Sequence, residues 1–386
     1  MNRRTFLTVS IPLAATPLLA QNAVPGVKPT DVTKLDPALA AAKATAAISA
    51  WHNVEDFGVE GREWVDMPRL RYYDRFPSDA EHKVPPAVWS LSRDSAGMMG
   101  RFKSNASAVH VRYTLVKSNT GMPHMPATGV SGVDLYARDE KGKWRWVNVI
   151  KPVDKQVNQA GPLSEKMPVE EREYAFYLPL YNGVEKVEFG VNDGASFEGL
   201  APRERPIVFY GTSITHGACA SRPGMCHPAI LGRRLDLPIT NLGFSGNGKM
   251  DASVGEFLCK VDAAVFVIDC LPNMDAKLVR ERCVPLVNQL RAAKPETPIV
   301  LVEDRRNTNS WIHPDKVKYH TDNHAALKES YDKLIAAGVK KLFYIPGDAL
   351  LGDDGDGATD GSHPSDLGFY RQADVMEPVI REALKA

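Results

Sequence analysis

The sequence predicts an antiparallel β-sandwich followed by a three-layer α/β/α domain with a parallel sheet. In residues 49–202, short segments alternate apolar and polar side chains between Gly, Pro, Asn and Asp residues, a pattern typical of half-buried antiparallel strands. In residues 203–386, continuous apolar runs alternate with helical stretches, as expected for parallel strands that helices cover on both faces. A chain of 386 residues also exceeds the usual size of one hydrophobic core, so two domains are expected.

The alternating segments of the first part each place apolar or aromatic side chains on one face. These segments are AVHVRYTL (108–115), EYAFYL (173–178) and KVEFGV (186–191). Antiparallel strands joined by short turns pack most simply as two sheets, face to face. No long amphipathic helix is predicted in this part.

The second part contains five apolar runs of strand length. They are IVFY (207–210), ITNLGF (239–244), AAVFVID (263–269), PIVLVE (298–303) and KLFYIP (341–346). Helices are predicted over residues 276–293 and 323–338, because apolar side chains recur there on one helical face. Pro285 is expected to kink or divide the first helix, and Gly338 to cap the end of the second.

The first twenty residues predict export from the cell. Arg3 and Arg4 precede an apolar run without acidic residues, and the small residues up to Ala20 suit cleavage. The run is too short, and too interrupted by two prolines, to span a membrane. The paired arginines resemble a twin-arginine signal, so a periplasmic or extracellular bacterial protein is expected. Residues 21–48, rich in Ala, Pro, Thr and Lys, are expected to form a linker with at most one short helix.

The net charge argues against two kinds of partner, and the cysteine spacing argues against two kinds of structural site. Lys plus Arg (47) equals Asp plus Glu (47), so the overall charge indicates neither nucleic acid nor an anionic membrane as partner. The cysteines are Cys219, Cys226, Cys259, Cys270 and Cys283. Without Cys-x-x-Cys spacing they indicate neither a zinc ribbon nor a dense disulfide framework. Buried free thiols are the favoured interpretation, and a Cys219–Cys226 pair formed after export is the alternative.

The residues that indicate chemistry stand at the ends of predicted strands. The first run of the second part leads into Ser213, and the carboxyl ends of parallel strands border the binding crevice of such sheets. At neutral pH a serine nucleophile needs a histidine base and a carboxylate that orients the histidine. Asp360 and His363, in ATDGSHPSDLGFY, are spaced so that one turn presents both, just before a helix that Ser365 would cap.

Hydrogen-bond donors for a developing oxyanion are predicted beside this serine. Gly211 and Gly217 are expected to let the chain turn sharply, so that the hydroxyl and the N–H of Ser213 face the crevice. Gly246, in NLGFSGNG, offers an N–H at a position where a side chain would block close approach. Asn273, in DCLPNM, offers a side-chain amide to the same oxygen.

Along the chain the four segments carry Ser213, then Gly246, then Asn273, and last Asp360 with His363. Taken in this order, they resemble the SGNH or GDSL-type hydrolases over residues 203–386. The resemblance implies an SGNH-hydrolase α/β/α domain with a catalytic triad and an oxyanion hole, and a mechanism that requires no metal ion and no organic cofactor. The implied triad is Ser213, Asp360 and His363, and the implied oxyanion hole is Ser213, Gly246 and Asn273. Thr212 stands where the family usually has aspartate, and LPNM replaces the common Gly-x-Asn-Asp. These departures concern the subfamily more than the reaction.

A second resemblance lies in the first part of the chain. SGVDLYARD (131–139) is similar to the Gly-x-Asp-Leu-Tyr motif of an N-terminal β domain that precedes such hydrolase domains in exported bacterial proteins. It supports a division into a β-sandwich domain at 49–202 and a hydrolase domain at 203–386. By association it also favours carbohydrate esters as substrates.

Candidate substrate contacts lie beside the nucleophile and after the fourth strand. They are His216, Glu303, Asp304, Arg305 and Trp311. A solvated loop is the alternative for VEDRRNTNSW, and a wall of the site is the more common role for a histidine near a nucleophile, His216 and His227 included. The acidic stretch GDDGDGATDG lacks the ligand spacing of an EF-hand, so no metal site is predicted.

These observations predict an exported serine esterase that removes small acyl groups, acetyl in particular, from an acylated carbohydrate or another small ester. Two alternatives stay open. A lipase or thioesterase for longer acyl chains would need an extended apolar channel, which the polar loops at 216–227 and 303–313 do not obviously supply. A carbohydrate-binding protein with a silent hydrolase domain would not need an intact set of serine, histidine and aspartate.

Overall fold

The computed structural model describes residues 31–386. The predicted export signal (1–20) and the first ten residues of the predicted linker lie outside the described residues. In residues 31–40 the chain forms one four-residue helix and a 3₁₀ turn. Residues 41–386 form one compact unit. Within the described part, no helix is both long and apolar enough to cross a membrane.

The regular elements of residues 31–386 are numbered in chain order. The helices are α1 (Val32–Leu35), α2 (Pro86–Ser92), α3 (Ala127–Val130), α4 (Ser213–His216), α5 (His227–Leu235), α6 (Ala252–Leu258), α7 (Ala276–Ala293), α8 (Pro314–Ala336) and α9 (Asp366–Ala383). The strands are β1 (Ile48–Asn53), β2 (Met99–Ser104), β3 (Val109–Leu115), β4 (Asp134–Arg138), β5 (Trp144–Val149), β6 (Asn158–Ser164), β7 (Arg172–Tyr177), β8 (Val184–Asn192), β9 (Glu198–Leu200), β10 (Ile207–Gly211), β11 (Ile239–Gly243), β12 (Val265–Asp269), β13 (Ile299–Val302) and β14 (Leu342–Ile345).

Strands β1–β9 form a β-sandwich. Their two antiparallel sheets have the strand orders β1-β8-β3-β6 and β5-β4-β7-β2-β9. One apolar cluster takes side chains from both sheets, and within it the rings of Phe102 (β2) and Phe189 (β8) have centroids 5.2 Å apart. Facing sheets that share a core are the arrangement that the alternating sequence pattern predicts, so this prediction is confirmed.

The segment between β1 and β2 packs on two sides. Val54, Tyr73 and Met98 lie in the sandwich cluster, whereas its middle part packs against the parallel sheet. Phe76 and Trp89 of this segment belong to an apolar cluster that the parallel sheet forms with its helices. The guanidinium of Arg75 is buried and donates hydrogen bonds to the carbonyl oxygens of Asn241 (3.0 Å) and Gly243 (2.8 Å). This segment therefore ties the sandwich part of the unit to strand β11.

Strands β10–β14 form a parallel sheet with the order β11-β10-β12-β13-β14. All five predicted strands are present. The strand order reverses at β10, which pairs with β11 on one side and with β12 on the other. In an open α/β sheet, a ligand crevice forms outside the carboxyl ends of the strands at such a reversal. Strand β10 ends at Gly211 and therefore leads into this crevice.

Helices cover both faces of the parallel sheet. Along β10, Val208 and Tyr210 pack in the cluster that includes α6, α7 and α8, whereas Ile207 and Phe209 pack in the cluster that includes α5 and α9. Successive side chains of a strand point to opposite faces, so both faces must be covered to bury this run. The predicted three-layer α/β/α fold is confirmed.

Two details of the helices differ from the predictions. Helix α7 continues through Pro285 and is not divided. Pro285 and Glu281, whose carbonyl loses its partner because proline has no N–H, are both exposed, so water can satisfy that carbonyl. Helix α8 begins nine residues before the predicted start. Gly338 follows the end of α8 with φ +85°, as its predicted capping role requires.

Candidate active site

A short helix presents Ser213 at the carboxyl end of β10. Thr212 is the N-cap of α4, and its hydroxyl accepts a hydrogen bond from the N–H of Ile214 (3.2 Å). Ser213 is the first residue of the helix. It is only partly buried, whereas the other nine residues from 211 to 220 are fully buried. The hydroxyl therefore faces open space while the backbone that carries it is fixed.

The two glycines beside the nucleophile have different physical roles. A Cβ at Gly211 would lie 2.0 Å from Thr215 Oγ1 and 2.8 Å from the carbonyl oxygen of Asp269, so close packing of the backbone requires glycine there. Gly217 ends α4 with φ +111°, a conformation that other residues rarely adopt. Only Gly217 thus serves the sharp turn that the sequence predicted for both.

The structure brings Ser213, His363 and Asp360 together in one chain of hydrogen bonds. Ser213 Oγ lies 2.8 Å from His363 Nε2, and His363 Nδ1 lies 2.7 Å from Asp360 Oδ2. Because the carboxylate can only accept, Nδ1 donates to Asp360 and the neutral ring keeps Nε2 free to accept from the serine hydroxyl. This is the arrangement of a nucleophile, a base and the group that orients the base.

The turn that carries Asp360 and His363 is fixed on several sides. Asp360 Oδ1 accepts hydrogen bonds from the backbone N–H groups of His363 (2.7 Å) and Ser362 (3.0 Å). Arg305 donates from Nε to the carbonyl oxygen of Ser362 (2.9 Å), and the N–H of Thr308 donates to the carbonyl oxygen of Gly361 (2.9 Å). The loop after β13 thus supports the turn from outside.

These hydrogen bonds also keep Asp360 ionised. Partial burial favours the neutral acid, but the N–H and imidazole donors of His363 and the N–H of Ser362 outweigh it and lower the pKa of Asp360 to about 2. A carboxylate that stays charged at neutral pH can hold the His363 ring in one tautomer.

Gly246 and Asn273 line the same cleft as Ser213. Gly246 has φ +67°, and a Cβ at this position would meet no atom of the described protein within 4 Å. The local reason for glycine is therefore the left-handed backbone and not the steric crowding expected from the sequence. The side-chain oxygen of Asn273 accepts from the N–H of Gly248 (3.3 Å), which leaves its NH₂ group for an oxygen in the cleft.

The cleft over Ser213 has a volume of about 490 Å³ and a mixed lining. Its lining residues are Met122, His124, Tyr181, Ser213, Ala218, Ser245, Gly246, Pro272, Asn273, Arg305, Ser362 and His363. Three of these, Met122, His124 and Tyr181, come from loops of the β-sandwich. The Tyr181 hydroxyl lies 2.6 Å from Ser245 Oγ, next to Gly246.

Among the predicted substrate contacts, Arg305 lines the cleft, whereas the other four do not. His216 is buried behind Tyr181, and its Nε2 donates to the carbonyl oxygen of Leu180 (2.6 Å). Burial lowers the pKa of His216 far below its usual value, so this ring is a neutral wall residue.

The remaining predicted contacts have structural partners or lie elsewhere. Glu303 is buried, where its carboxylate accepts from the N–H of Gly347 (2.8 Å). Asp304 is also buried, and one of its oxygens lies 2.8 Å from His320 Nδ1. Trp311 is 83% exposed outside the cleft. Glu303 and Asp304 are therefore kept from a substrate by burial and by hydrogen bonds to other protein groups. The sequence did not reveal either of these.

Four of the five cysteines and the second histidine near Ser213 are also buried, and Cys259 is partly buried. All five cysteines are free, so the structure contains no Cys219–Cys226 bond. His227 is buried, and its ring lies against those of Phe209 and Phe369. In the described residues, Cys219, Asp360 and His363 form the one group whose atoms could hold a metal ion. Burial and the charge of Asp360 raise the pKa of the Cys219 thiol to about 11, which disfavours the thiolate that a metal would need.

Sequence reasoning missed the residues that the β-sandwich contributes. Met122 and His124 lie in the Pro-rich loop GMPHMP, and Tyr181 lies in a turn after β7. A histidine and two methionines within a loop that also has two prolines could have been noticed as unusual for a plain turn. Nothing in the local sequence says, however, which end of the sandwich faces the nucleophile.

Comparison with known proteins assigns this fold to a class of acylhydrolases. Two family models match the chain, one described as the GDSL-like lipase/acylhydrolase family over residues 204–381 and one described as the N-terminus of SGNH-hydrolase-type esterases, named for GxDLY, over residues 49–197. A crystal structure of a GDSL-like lipase from Bacteroides ovatus is 33% identical, with a TM-score of 0.81, and covers 87% of this chain and 98% of its own. The chain belongs to the GDSL-like, or SGNH, lipase/acylhydrolase family.

Two more distant structures share the fold. The salicylyl-acyltransferase SsfX3 from a tetracycline biosynthetic pathway is 18% identical with a TM-score of 0.66, and the match covers 84% of this chain and 94% of that one. An acetyl xylan esterase from the rumen bacterium Butyrivibrio proteoclasticus is 11% identical with a TM-score of 0.52, over 87% of this chain and 100% of that one. No curated protein sequence gives a significant match.

Proposed function

We propose that this protein is an exported serine esterase that releases small acyl groups, acetyl in particular, from a carbohydrate. The observation that carries the proposal is the hydrogen-bonded chain from Ser213 Oγ through His363 to Asp360, with distances of 2.8 and 2.7 Å. A serine hydroxyl becomes a nucleophile when a base accepts its proton within such a distance.

In the first half of the reaction, Ser213 Oγ attacks the ester carbonyl carbon as His363 Nε2 takes the hydroxyl proton. The carbonyl oxygen becomes an oxyanion, which the N–H groups of Ser213 and Gly246 and the amide of Asn273 stabilise. The tetrahedral intermediate then breaks its bond to the alcohol oxygen. His363 returns the proton to that oxygen, the alcohol leaves, and an acyl-serine remains.

In the second half, water replaces the alcohol. His363 takes a proton from the water as the water oxygen attacks the acyl carbon, and the same donors hold the oxyanion. Collapse of this intermediate breaks the bond to Ser213 Oγ, which recovers its proton from His363. The products are the carboxylic acid and free enzyme, and every proton in the cycle passes through one imidazole.

The lining of the cleft offers hydrogen-bonding groups to a polar alcohol. The side chains of His124, Ser245 and Ser362 supply these groups. They lie beside the apolar side chains of Met122, Ala218 and Pro272. The acetyl xylan esterase that shares the fold acts, by its name, on acetylated xylan, which motivates carbohydrate acetates as the first substrates to test.

The proposal is tested by hydrolysis of p-nitrophenyl acetate and p-nitrophenyl octanoate by the parent protein and the Ser213→Ala variant. We expect the parent to prefer the acetate, and Ser213→Ala to lose at least about 1,000-fold in kcat. Ser90→Ala, at an exposed position of α2, is the matched control. Parent-like activity in a folded Ser213→Ala protein would contradict the proposal. A parent protein that prefers the octanoate would favour the lipase alternative. A parent protein without activity on either ester would favour the carbohydrate-binding protein with a silent hydrolase domain.

Export is proposed from the Arg3-Arg4 segment and the apolar run that follows it. We expect the full chain to reach the periplasm or the medium of a bacterial host. The double variant Arg3→Lys and Arg4→Lys should stay inside the cell. Fractionation followed by immunoblotting measures this, and equal export of both proteins would contradict a twin-arginine route.

A further inference from the structure

We propose that loop 121–126 of the β-sandwich forms the leaving-group side of the cleft, and that His124 binds the alcohol portion of the ester. The inference rests on the proposed function and extends it, because it assigns recognition of the alcohol to a residue outside the parallel-sheet part. His124 is exposed, lines the cleft, and has its ring centroid 6.2 Å from that of His363.

The position of His124 beside His363 identifies the side of the cleft. In the proposed reaction, His363 Nε2 gives its proton to the leaving oxygen, so that oxygen must lie about 3 Å from Nε2. The oxyanion donors of Gly246 and Asn273 bind the other oxygen of the reacting carbon. The atoms attached to the leaving oxygen therefore lie next to the His363 ring, within reach of His124.

The tip of the loop is held in place by the backbone. The N–H of Met122 donates to the carbonyl oxygen of Met125 (3.0 Å), and the N–H of Met125 donates back to Met122 (3.1 Å). The Met125 side chain is buried in the apolar cluster that includes α5 and α9. His124, between these anchored residues, is thus presented by a closed turn.

The residues that follow the loop bind directly to the chain after the nucleophile. Thr128 Oγ1 donates to the carbonyl oxygen of Ser221 (2.6 Å). A Cβ at Gly129 would lie 2.1 Å from the carbonyl oxygen of Ala220, so the two backbones are in close contact. The distance between His124 and Ser213 is therefore set by the fold.

The chemistry of the exposed His124 side chain and the partly buried Met122 side chain fits a sugar alcohol. An imidazole can donate to one hydroxyl and accept from another, and a thioether packs well against the C–H groups of a sugar ring. Met122 and His124 supply this pair on the same turn. A phenolic leaving group, which has no neighbouring hydroxyls, would use neither hydrogen bond.

The test compares two esters with the same acyl group, xylose tetra-acetate and p-nitrophenyl acetate. Both give the same acetyl-enzyme, so a residue that binds only the alcohol changes acylation and not deacylation. For His124→Ala we expect the ratio of kcat/KM for the sugar acetate to kcat/KM for the phenyl ester to fall about tenfold, as loss of one hydrogen bond implies. His124→Gln, which keeps hydrogen-bonding groups, should restore part of the ratio, and His82→Ala, at an exposed position outside the cleft, should keep the parent ratio.

Different results separate this inference from the proposed function. A parent-like ratio in His124→Ala, or equal losses on both esters together with a lower Tm, overturns the leaving-group role. A parent protein that hydrolyses the phenyl ester but not the sugar acetate overturns it as well. Full activity of Ser213→Ala on both esters would instead overturn the proposed function itself.

Discussion

At the scale of single residues, Thr212 shows how the site tolerates a departure from the family motif. Its hydroxyl accepts from the N–H of Ile214, so it caps the helix that carries Ser213. Aspartate, which the family usually has here, is also a preferred N-cap residue, because its side-chain oxygen can accept the same bond. The exchange therefore preserves the start of α4 and with it the position of the nucleophile.

The orientation of the Asn273 amide leads to the first prediction. Since its oxygen is held by the N–H of Gly248, its NH₂ group remains for the oxyanion. We expect Asn273→Ala to lower kcat about 100- to 1,000-fold with little change in KM, as the loss of one such donor does in other serine hydrolases. Steady-state kinetics on p-nitrophenyl acetate measure this, with Asn158→Ala, an exposed asparagine of the sandwich, as control. A higher KM with an unchanged kcat would contradict the assigned role of Asn273.

Asp360 leads to a prediction about pH and stability. Its pKa of about 2 in the folded protein lies below the ordinary value of 3.8, so its ionised form stabilises the fold above about pH 4 and this contribution disappears as the pH falls towards 2. We expect the difference in unfolding free energy between the parent and Asp360→Asn to narrow over that range in urea titrations. Asn158→Ala, at an exposed position and without loss of a titratable group, should show no comparable trend. A difference that stays constant down to about pH 2 would contradict the lowered pKa.

At the scale of elements, the strand β10, the helix α4 and Gly217 form the unit that presents the nucleophile. Gly217 has φ +111°, and a Cβ there would lie 2.7 Å from Leu180 Cδ1, in the buried end of the sandwich. The end of the nucleophile helix is thus in direct contact with the turn that carries Tyr181. A change at this contact should disturb both elements.

We therefore predict that Gly217→Ala costs about 2–4 kcal/mol of unfolding free energy, from backbone strain and overpacking together. Gly142→Ala is the matched control, because Gly142 also has a positive φ (+72°) but a Cβ there would meet no described atom within 4 Å. It should cost about 1 kcal/mol. Denaturant unfolding of both variants measures this, and equal costs would show that the contact with Leu180 carries no weight.

The elements of the parallel sheet were predictable from the sequence, whereas the walls of the site were not. Runs such as VFVID (265–269) are buried on both faces, and local composition alone reports this. The proximity of Ser213, His363 and Asp360 was predictable because these side chains follow strand ends or share one turn. The positions of Glu303 and His124 depend instead on pairing with distant residues and on how the sandwich packs, which no local pattern encodes.

At the scale of the whole molecule, the sandwich and the parallel sheet share apolar surface. The cluster that includes α5 and α9 also contains Tyr136, Tyr177 and Leu180 of the sandwich. Asp134, of the Asp-Leu-Tyr motif, is buried and accepts from Arg222 (2.9 Å) and from the N–H of Gly224 (3.0 Å). The Asp-Leu-Tyr motif thus holds the chain that follows Ser213 in place.

We predict that residues 203–386 alone do not form an active fold, because removal of the sandwich exposes this cluster to water. Residues 41–386, the complete compact unit, should fold and hydrolyse p-nitrophenyl acetate. Near-ultraviolet circular dichroism and dye binding compare the two fragments. An isolated 203–386 fragment with native tertiary signals and parent activity would contradict the structural dependence on the sandwich.

We propose above all that Ser213 is a nucleophile, that His363 activates it, and that Asp360 orients the His363 ring. Labelling with a fluorophosphonate, followed by mass spectrometry of the digested protein, tests it most directly. We expect one equivalent of label on Ser213 of the parent protein, with esterase activity lost in parallel with labelling. A folded His363→Ala variant should be labelled much more weakly. Esterase activity that persists after the probe has reacted to completion, with Ser213 unlabelled, would contradict it.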